Sequence, residues 1–507
     1  MAEMIWEAAL GVMNGASLGN NMLKDNQFII KFSKFYQGFS PAAHLNSLTE
    51  LGNAGHASVM QNVDILTPDY ITQGPALVNL TNGNQAGVVT ELINFIMDKA
   101  VANDVTYGIG ATKLFKITPT TVVSGGTPSW PQAITGCTDG ESVIDLKGNI
   151  YGFYNKSSGG EILKMPIATE VIDPDWGSTV PTGMAALQSA PHPVATKEDI
   201  MAFGNGQYLG TYFASTDTLN VSKLDFGAGN EVADVIFHAN QWQIAVNSGV
   251  SGTNRTVSQI YLYDGGAITA LLSDEVAIGV QRIGFLFPLN GIVYVAYQDL
   301  SFAGGYKIGY VSGRQIKPLR YFTGSLPTFA QKTLYKNTIL FIASGLVWSI
   351  GASVEQLPIQ ISQLADSGYA TVGALAAPFG TPMIASTDGG TNFRLAKFSG
   401  YDVSCNWKSI IIPLINGRLK AIIDTVIVLT KTLGANARCD LKLEYNQNSS
   451  DSGTVKQITG TGKRRFVFEK FKGQIEDFRV FLDWSNGHTS NDCPIRQIQV
   501  LGHYVEK

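Results

Sequence analysis

The chain has little of what marks a catalytic, metal-binding or membrane-spanning protein. Charged residues make up only 15% of its 507 positions. No uninterrupted apolar run approaches the roughly 20 residues needed to cross a bilayer. The N-terminal stretch carries Glu3 and Glu7 and lacks the basic start and apolar core of a secretion signal. A soluble chain made in a reducing compartment, with no membrane partner, is the expectation. The four cysteines, Cys137, Cys405, Cys439 and Cys493, are too widely spaced to form a metal-ligand pattern. They are expected as reduced buried thiols, with a disulfide among the last three as the alternative. The six histidines form no H-x-H or H-E-x-x-H pair, and His192, between Pro191 and Pro193, reads as a loop residue. No metal and no cofactor is implied. A formal charge of −4 gives no general electrostatic reason to bind nucleic acid. No glycine-rich phosphate loop opens a helix, since Gly108-Ile109-Gly110 is embedded in a β pattern.

What the chain does have is 54 glycines, 10% aromatic residues and many short apolar runs, a composition of strands and turns. From about Tyr107 to Gly400, turn candidates recur between paired apolar runs at Gly148-Asn149, Asn205-Gly206, Ala239-Asn240, Asn290-Gly291, Lys336-Asn337 and Phe379-Gly380. Each reads as a hairpin whose turn tolerates positive φ. Their spacing averages about 46 residues, roughly one four-stranded propeller blade, and one such sheet cannot bury both faces alone. Six turns and a first unit around 105–117 predict an all-β fold: a β-propeller of about seven blades over 105–400, followed by a C-terminal β-sandwich over 401–507. A stack of sandwiches is the other architecture that this turn spacing allows. Residues 1–27 read as an N-terminal arm and 28–104 as the leading and closing strands of the propeller, with 76–80 the candidate closing strand. In 88–100, Leu92, Ile93, Ile96 and Met97 share a helical side, yet the surrounding pattern favours a strand.

Ser386-Thr387-Asp388-Gly389-Gly390-Thr391-Asn392-Phe393 matches the Asp-box pattern and resembles hairpin turns repeated in sialidase-like propellers. Asp388 can accept backbone N–H groups, Gly390 can take a left-handed conformation and Phe393 can pack beneath. Ser386, Asp388, Gly390 and Phe393 are thus structural turn candidates, and the other reading is an ordinary glycine-rich turn. A glycosidase needs a proton donor and a second carboxylate several ångströms away. Asp173 and Asp175 lie on one proline-containing loop, where carboxylates commonly cap turns. Arg255, Arg282, Arg314, Arg320 and Arg394 could form a cluster only if the fold converged them. No enzyme is expected, and no catalytic residue is assigned. Lys456, Lys463, Arg464, Arg465, Lys470 and Lys472 form the most basic cluster, read either as a solvated strand face or as a contact patch for another subunit or nucleic acid. Trp130, Trp176, Trp242, Trp348, Trp407 and Trp484 are so dispersed that most are expected in the core, although exposed ones would suit carbohydrate.

The run Lys31-Phe32-Ser33-Lys34-Phe35-Tyr36-Gln37-Gly38-Phe39-Ser40-Pro41, then Ala57 through Ile65, Tyr107-Gly108-Ile109-Gly110, Lys113-Leu114-Phe115-Lys116-Ile117 and the terminal sandwich together resemble virion proteins of tailed bacteriophages. The likeness is to tail or nozzle-like proteins that carry a β-propeller joined to a β-sandwich. It implies a noncatalytic structural part, made in the host cytoplasm and placed in the virion tail. Its expected partners are further copies of itself in a ring, six or a multiple, and neighbouring tail proteins. The alternatives are a propeller that binds a host-surface glycan and, behind it, a glycoside hydrolase.

Overall fold

The structure, a computed structural model, describes residues 17–18, 21–22, 27–32, 35, 57–67, 70–84, 87–249, 258–265, 268–270, 280–299, 304–351, 361–366, 371–388, 392–414, 419–447, 454–468 and 475–506. These residues are almost entirely β-structure, and among them a single helical turn, Trp176–Thr179, interrupts the strands. The chain divides into two compact units. One combines Met1–Leu77, Val347–Asp366 and Ser399–Lys507, and the other Val78–Leu346 and Ser367–Phe398.

The second unit is a propeller-like succession of small antiparallel sheets. The first sheet holds Ile93–Ile96, Thr106–Gly110, Lys113–Ile117 and Gln132–Ala133. The second holds Asp139–Leu146, Asn149–Lys156 and Gly159–Pro166, and the third Val194–Lys197, Ile200–Asn205, Tyr208–Phe213 and Thr218–Asp225. Asn230–His238, Gln241–Ser248, Gln259–Tyr263 and Ile268–Ala270 make the fourth; Val280–Leu289, Ile292–Asp299, Gly305–Ser312 and Gln315–Thr323 the fifth. The sixth begins with Lys332–Tyr335 paired to Thr338–Ala343. The next strands in the chain, Leu346–Ile350 (from Val347 on) and Ile361–Asp366, are grouped with the other unit. In the seventh sheet Thr371–Ala376, Met383–Thr387 and Phe393–Ser399 are joined by a strand from far upstream, Ala76–Asn84. That strand contains the 76–80 stretch expected to close the propeller.

The hairpin turns explain why these sheets form where they do. Ala239 and Asn240 have φ of 51° and 62°, Asn290 and Gly291 50° and 79°, and Lys336 and Asn337 45° and 60°. Two successive positive φ values match the twist of the flanking strands. At the first predicted turn the loop residues are Lys147 and Gly148, one position earlier than expected, because Asn149 already pairs with Leu146. The contested 88–100 stretch is a strand at Ile93–Ile96, paired with Thr106–Gly110. Pairing across the sheet overrides the local helical spacing, because Ile93 and Ile96 are buried with Phe115 and Ile117 of the same sheet.

Consecutive sheets pack through their first strands, and the last meets the first. Gly140 of the second sheet lies so close to the first that a Cβ there would stand 2.3 Å from the Gly110 carbonyl oxygen; one at Gly373 of the seventh would stand 2.4 Å from the Ile93 oxygen. Phe153 and Phe203 bridge the second and third sheets at 5.0 Å. Asn247 of the fourth both donates to Ile283 O (3.0 Å) and accepts from Ile283 N–H (2.7 Å) in the fifth. Gln331, at the start of the sixth, donates to Val372 O of the seventh at 2.5 Å.

The other unit is two sheets face to face. One is ordered Gln27–Phe32, Ile495–Glu506, Leu419–Thr430, Gly462–Val467; the other Lys456–Ile458, Cys439–Tyr445, Asp477–Asp483, Asn406–Ser409, Ala57–Gln61, with Ile412–Pro413 also on Asp477–Asp483. Phe28, Ile30, Val426, Val428, Ile498 and Val500 of the first meet Met60, Trp407, Leu441, Leu443, Val480 and Leu482 of the second in one core. The segment 28–104, expected to belong wholly to the propeller, is therefore divided. Phe28, Ile30 and Phe32 alternate toward the sandwich core, and Gln27–Phe32 pairs with the C-terminal strand from Gln27↔His503 to Phe32↔Ile498. In sequence the propeller-like unit falls in two stretches, 78–346 and 367–398, that alternate with segments of the other unit. Most of the expected arm, 1–27, lies outside the described residues.

Candidate functional site

At the start of their first strands the sheets surround a cavity of about 700 Å³. Its wall includes Asn94 of the first sheet, Asp139 and Glu141 of the second, Glu231 of the fourth, Arg282 and Gln298 of the fifth, and Val372 of the seventh, with Pro191 and Gln331 just ahead of the third and sixth. Several of these strands are irregular at this point. Register shifts fall between Gly140 and Ser142, Val232 and Asp234, Ile283 and Phe285, and Val372 and Leu375. An extra residue there breaks strict alternation and re-aims the side chains beside it, which is how polar groups come to line the mouth while Val143, Val235 and Leu286 remain buried.

Three carboxyl groups set the electrostatics of the mouth. Asn94 Nδ2 donates to Asp139 Oδ1 at 2.7 Å and to Gly140 O at 3.1 Å. Asn155 Nδ2 donates to Glu141 Oε1 at 2.9 Å, and the same amide donates to Ala190 O and accepts from Ala190 N–H. Burial, the neighbouring charge of Asp139 and their shared hydrogen bond push the Glu141 carboxyl up to about 8, with Glu231 adding to the effect. Asp139 and Glu231 are also raised, chiefly by burial, and Arg282 offsets this at Glu231. Asp139 and Glu141 thus hold one proton between them near neutrality, because adjacent carboxylates resist ionising together. The mouth offers carboxylate acceptors, one carboxyl donor, a guanidinium and amides, a set suited to ligand hydroxyls.

The sequence candidates are dispersed. Arg282 reaches the mouth, but Arg394 pairs with Asp388 at 3.7 Å, Arg314 sits in the turn between Gly305–Ser312 and Gln315–Thr323, and Arg320 lies on that latter strand. Arg255 lies outside the described residues. Asp173 exchanges backbone hydrogen bonds with Lys164, and Asp175 accepts from Lys156 Nζ at 2.5 Å. The Asp-box-like turn joins the second and third strands of the seventh sheet: Ser386 is buried, Asp388 accepts from Asn392 Nδ2 at 2.5 Å, and Phe393 packs partly buried on Leu395 and its neighbours. Gly390 is outside the described residues.

The described members of the basic cluster lie on two strands. Lys463, Arg464 and Arg465 are exposed on the edge strand Gly462–Val467, whereas Lys456 lies on the facing sheet, 5.9 Å from the Phe468 ring centroid. Lys470 and Lys472 lie outside the described residues. All six tryptophans named above are buried. The four cysteines are free and buried, with the Cys137 and Cys493 thiols pushed up to about 12 by burial. His192 sits outside the strands but is fully buried, its Nδ1 2.8 Å from Gly204 O, and burial lowers it to about 4. Among the described residues no group of three or more His, Cys, Asp or Glu side chains could hold a metal, and no helix is long and apolar enough to cross a membrane.

Sequence reading missed the mouth carboxylates. One signal was available: Glu231 and Arg282 each stand eight residues ahead of a hairpin turn, at Ala239 and Asn290. Aligning the units backward from the turns would have placed them at one end of the sheets.

No known family matches the chain, and no curated protein matches it in sequence. Among solved structures it is similar to the extracellular domain of a hybrid two-component system from B. thetaiotaomicron (TM-score 0.44, 11% identity, 78% of this chain and 47% of that one). It is also similar to the N-terminal domain of Nup159 (0.39, 10%, 66% and 97%) and to an exo-β-1,3-galactanase from Phanerochaete chrysosporium (0.29, 11%, 85% and 100%). The chain spans about half the length of the first of these. At such values the likenesses carry no argument about activity.

Proposed function

We propose that this chain is a noncatalytic binding protein, a seven-bladed β-propeller combined with a β-sandwich, whose propeller mouth takes a hydroxyl-rich, glycan-type ligand. The observation that carries this reading is the cavity of about 700 Å³ lined by Asp139, Glu141, Glu231, Arg282, Asn94 and Gln298. Its size suits a ligand of one to a few sugar rings, and its polar groups come from several strands of a rigid scaffold. Turnover does not follow from the same groups. Asp139 and Glu141 stand two residues apart on one strand and share one proton, so the pair acts as a single hydrogen-bonding unit and not as an acid and a second carboxylate placed on either side of a glycosidic bond. With the six tryptophans named above buried, the polar groups of the wall are what orient the ligand. The test is calorimetric titration with a panel of neutral, amino and acidic oligosaccharides, on the natural protein and on Glu231→Gln. Saturable binding that weakens at least tenfold in the variant supports the reading. Binding that the variant leaves unchanged, or no binding across the panel, defeats it.

A second reading, a structural component of a tailed-phage tail or nozzle assembled as a ring, is favoured by the layout itself. A propeller-like unit combined with a sandwich is the arrangement on which that resemblance rests. The native mass of the purified assembly tests it: a closed ring of several copies is expected, and a strict monomer at high concentration counts against it. The two readings are compatible, since a virion part can also hold a host-surface glycan.

A further inference from the structure

Just beyond the mouth, the first strands of the fourth, fifth and sixth sheets meet at a buried ionic knot. Asp234 Oδ2 accepts the backbone N–H of Leu286 at 2.7 Å and is also bound by Lys332 Nζ, while Lys332 Nζ donates to Leu286 O at 2.6 Å. The remaining oxygen, Asp234 Oδ1, accepts from Val235 N–H at 2.9 Å. Asp234 and Lys332 side chains are only 4% and 12% exposed, and the ammonium lies 5.6 Å from the Phe285 ring centroid. One residue along the chain, Thr333 Oγ1 donates to Asp98 Oδ1 at 2.5 Å, and the same oxygen accepts from Ala377 N–H at 2.7 Å. Lys332 and Thr333 therefore tie the sixth sheet to the fourth and fifth on one side, and to the first and seventh on the other. Ala233, Gly284 and Gln331, which neighbour the knot in sequence, line the mouth.

We propose that the Lys332-Thr333 pair is a polar latch that holds the sheets in register beneath the mouth, so that its loss loosens the ring locally while the fold persists. The physical ground is the asymmetry of buried charge. Replacing both members of a buried ion pair with neutral groups often leaves overall stability intact, whereas removing one leaves the other uncompensated. A latch differs from a mere stabilising contact in what the double replacement restores. Global stability recovers, but the bridge from Lys332 Nζ to Leu286 O and Asp234 does not.

Peptide-resolved hydrogen exchange on the full chain reads this out, comparing the natural protein with Lys332→Met, Asp234→Asn/Lys332→Met and Thr333→Val. The latch predicts exchange at least tenfold faster in 230–238, 280–289 and 332–343 for Lys332→Met and for the double variant. In both, 419–430 and 495–506 of the sandwich keep their protection. Thr333→Val, a near-isosteric change that removes one hydroxyl, speeds exchange in 93–97 and 371–377, and it serves as the deciding variant if Lys332→Met does not fold. Equal acceleration in both units, or unchanged exchange in these segments, overturns the proposal.

Discussion

Replacing Gly140 by alanine probes how tightly the sheets are wedged together. The new Cβ would stand 2.3 Å from the Gly110 carbonyl oxygen, 2.4 Å from Ile109 Cγ1 and 3.0 Å from Ile109 Cδ1. The first of these is backbone of the neighbouring sheet and cannot rotate away, so relief requires the two sheets to part by about 1 Å. Each sheet is also packed on its far side, so that movement spreads to the next interface. Overpacking of this kind costs about 1–3 kcal/mol, and the closed succession of sheets places Gly140→Ala at the upper end. Gly148→Ala is the control, since Gly148 has nothing within 4 Å of its Cβ position and the change adds only the strain of a φ of +76°. Equilibrium urea unfolding, followed by circular dichroism and tryptophan fluorescence, should show Gly140→Ala destabilised by about 2 kcal/mol more than the control, with an unchanged sandwich transition. Equal stability of the two variants would refute the close approach of the first and second sheets.

Removing the Asn247 side chain with alanine leaves the buried N–H and C=O of Ile283 without their partners. Unmet buried groups cost about 1–3 kcal/mol each, and the same unfolding assay should show a loss of about 2–4 kcal/mol. Glu141 gives a pH dependence with a defined sign. Its folded value, about 8, lies above the ordinary carboxyl value of 4.5, so the folded state holds the extra proton. The resulting stability is fully present below about 4.5 and is lost as pH rises toward and through 8. Thermal unfolding between pH 5 and 8.5 should show that decline, worth on the order of a few kcal/mol, and Glu141→Gln should flatten it. The buried thiols should react with a soluble disulfide reagent only on unfolding, at pH 7 and 25 °C, because burial disfavours the thiolate.

Much of the scaffold was legible in the chain because it is written locally. Asn290-Gly291, and the Asn of Ala239-Asn240 and Lys336-Asn337, mark turns through the tolerance of Asn and Gly for positive φ, and the apolar runs beside them alternate as half-buried strands must. The closing role of 76–80 was readable from the general need to tie the first and last sheets of a propeller together. What depends on distant partners was hidden. Phe28, Ile30 and Phe32 look like any strand, and only pairing with Ile495–Glu506 assigns them to the sandwich. The mouth was less legible still. Asp139, Glu141, Glu231 and Arg282 are separated by tens of residues, carry no motif, and converge only because register shifts near the strand starts turn them toward one cavity. The described members of the basic cluster, close in sequence, fall on strands of two facing sheets, an assignment that only long-range pairing makes.

The most direct test of the ligand-binding account is an experimental structure of the full chain with the tightest-binding oligosaccharide from the panel. Sugar hydroxyls within hydrogen-bond distance of Arg282, Glu231 and the Asp139-Glu141 pair are the predicted result. Density for the sugar on the sandwich or on the outer strands, with the mouth unoccupied, would contradict it.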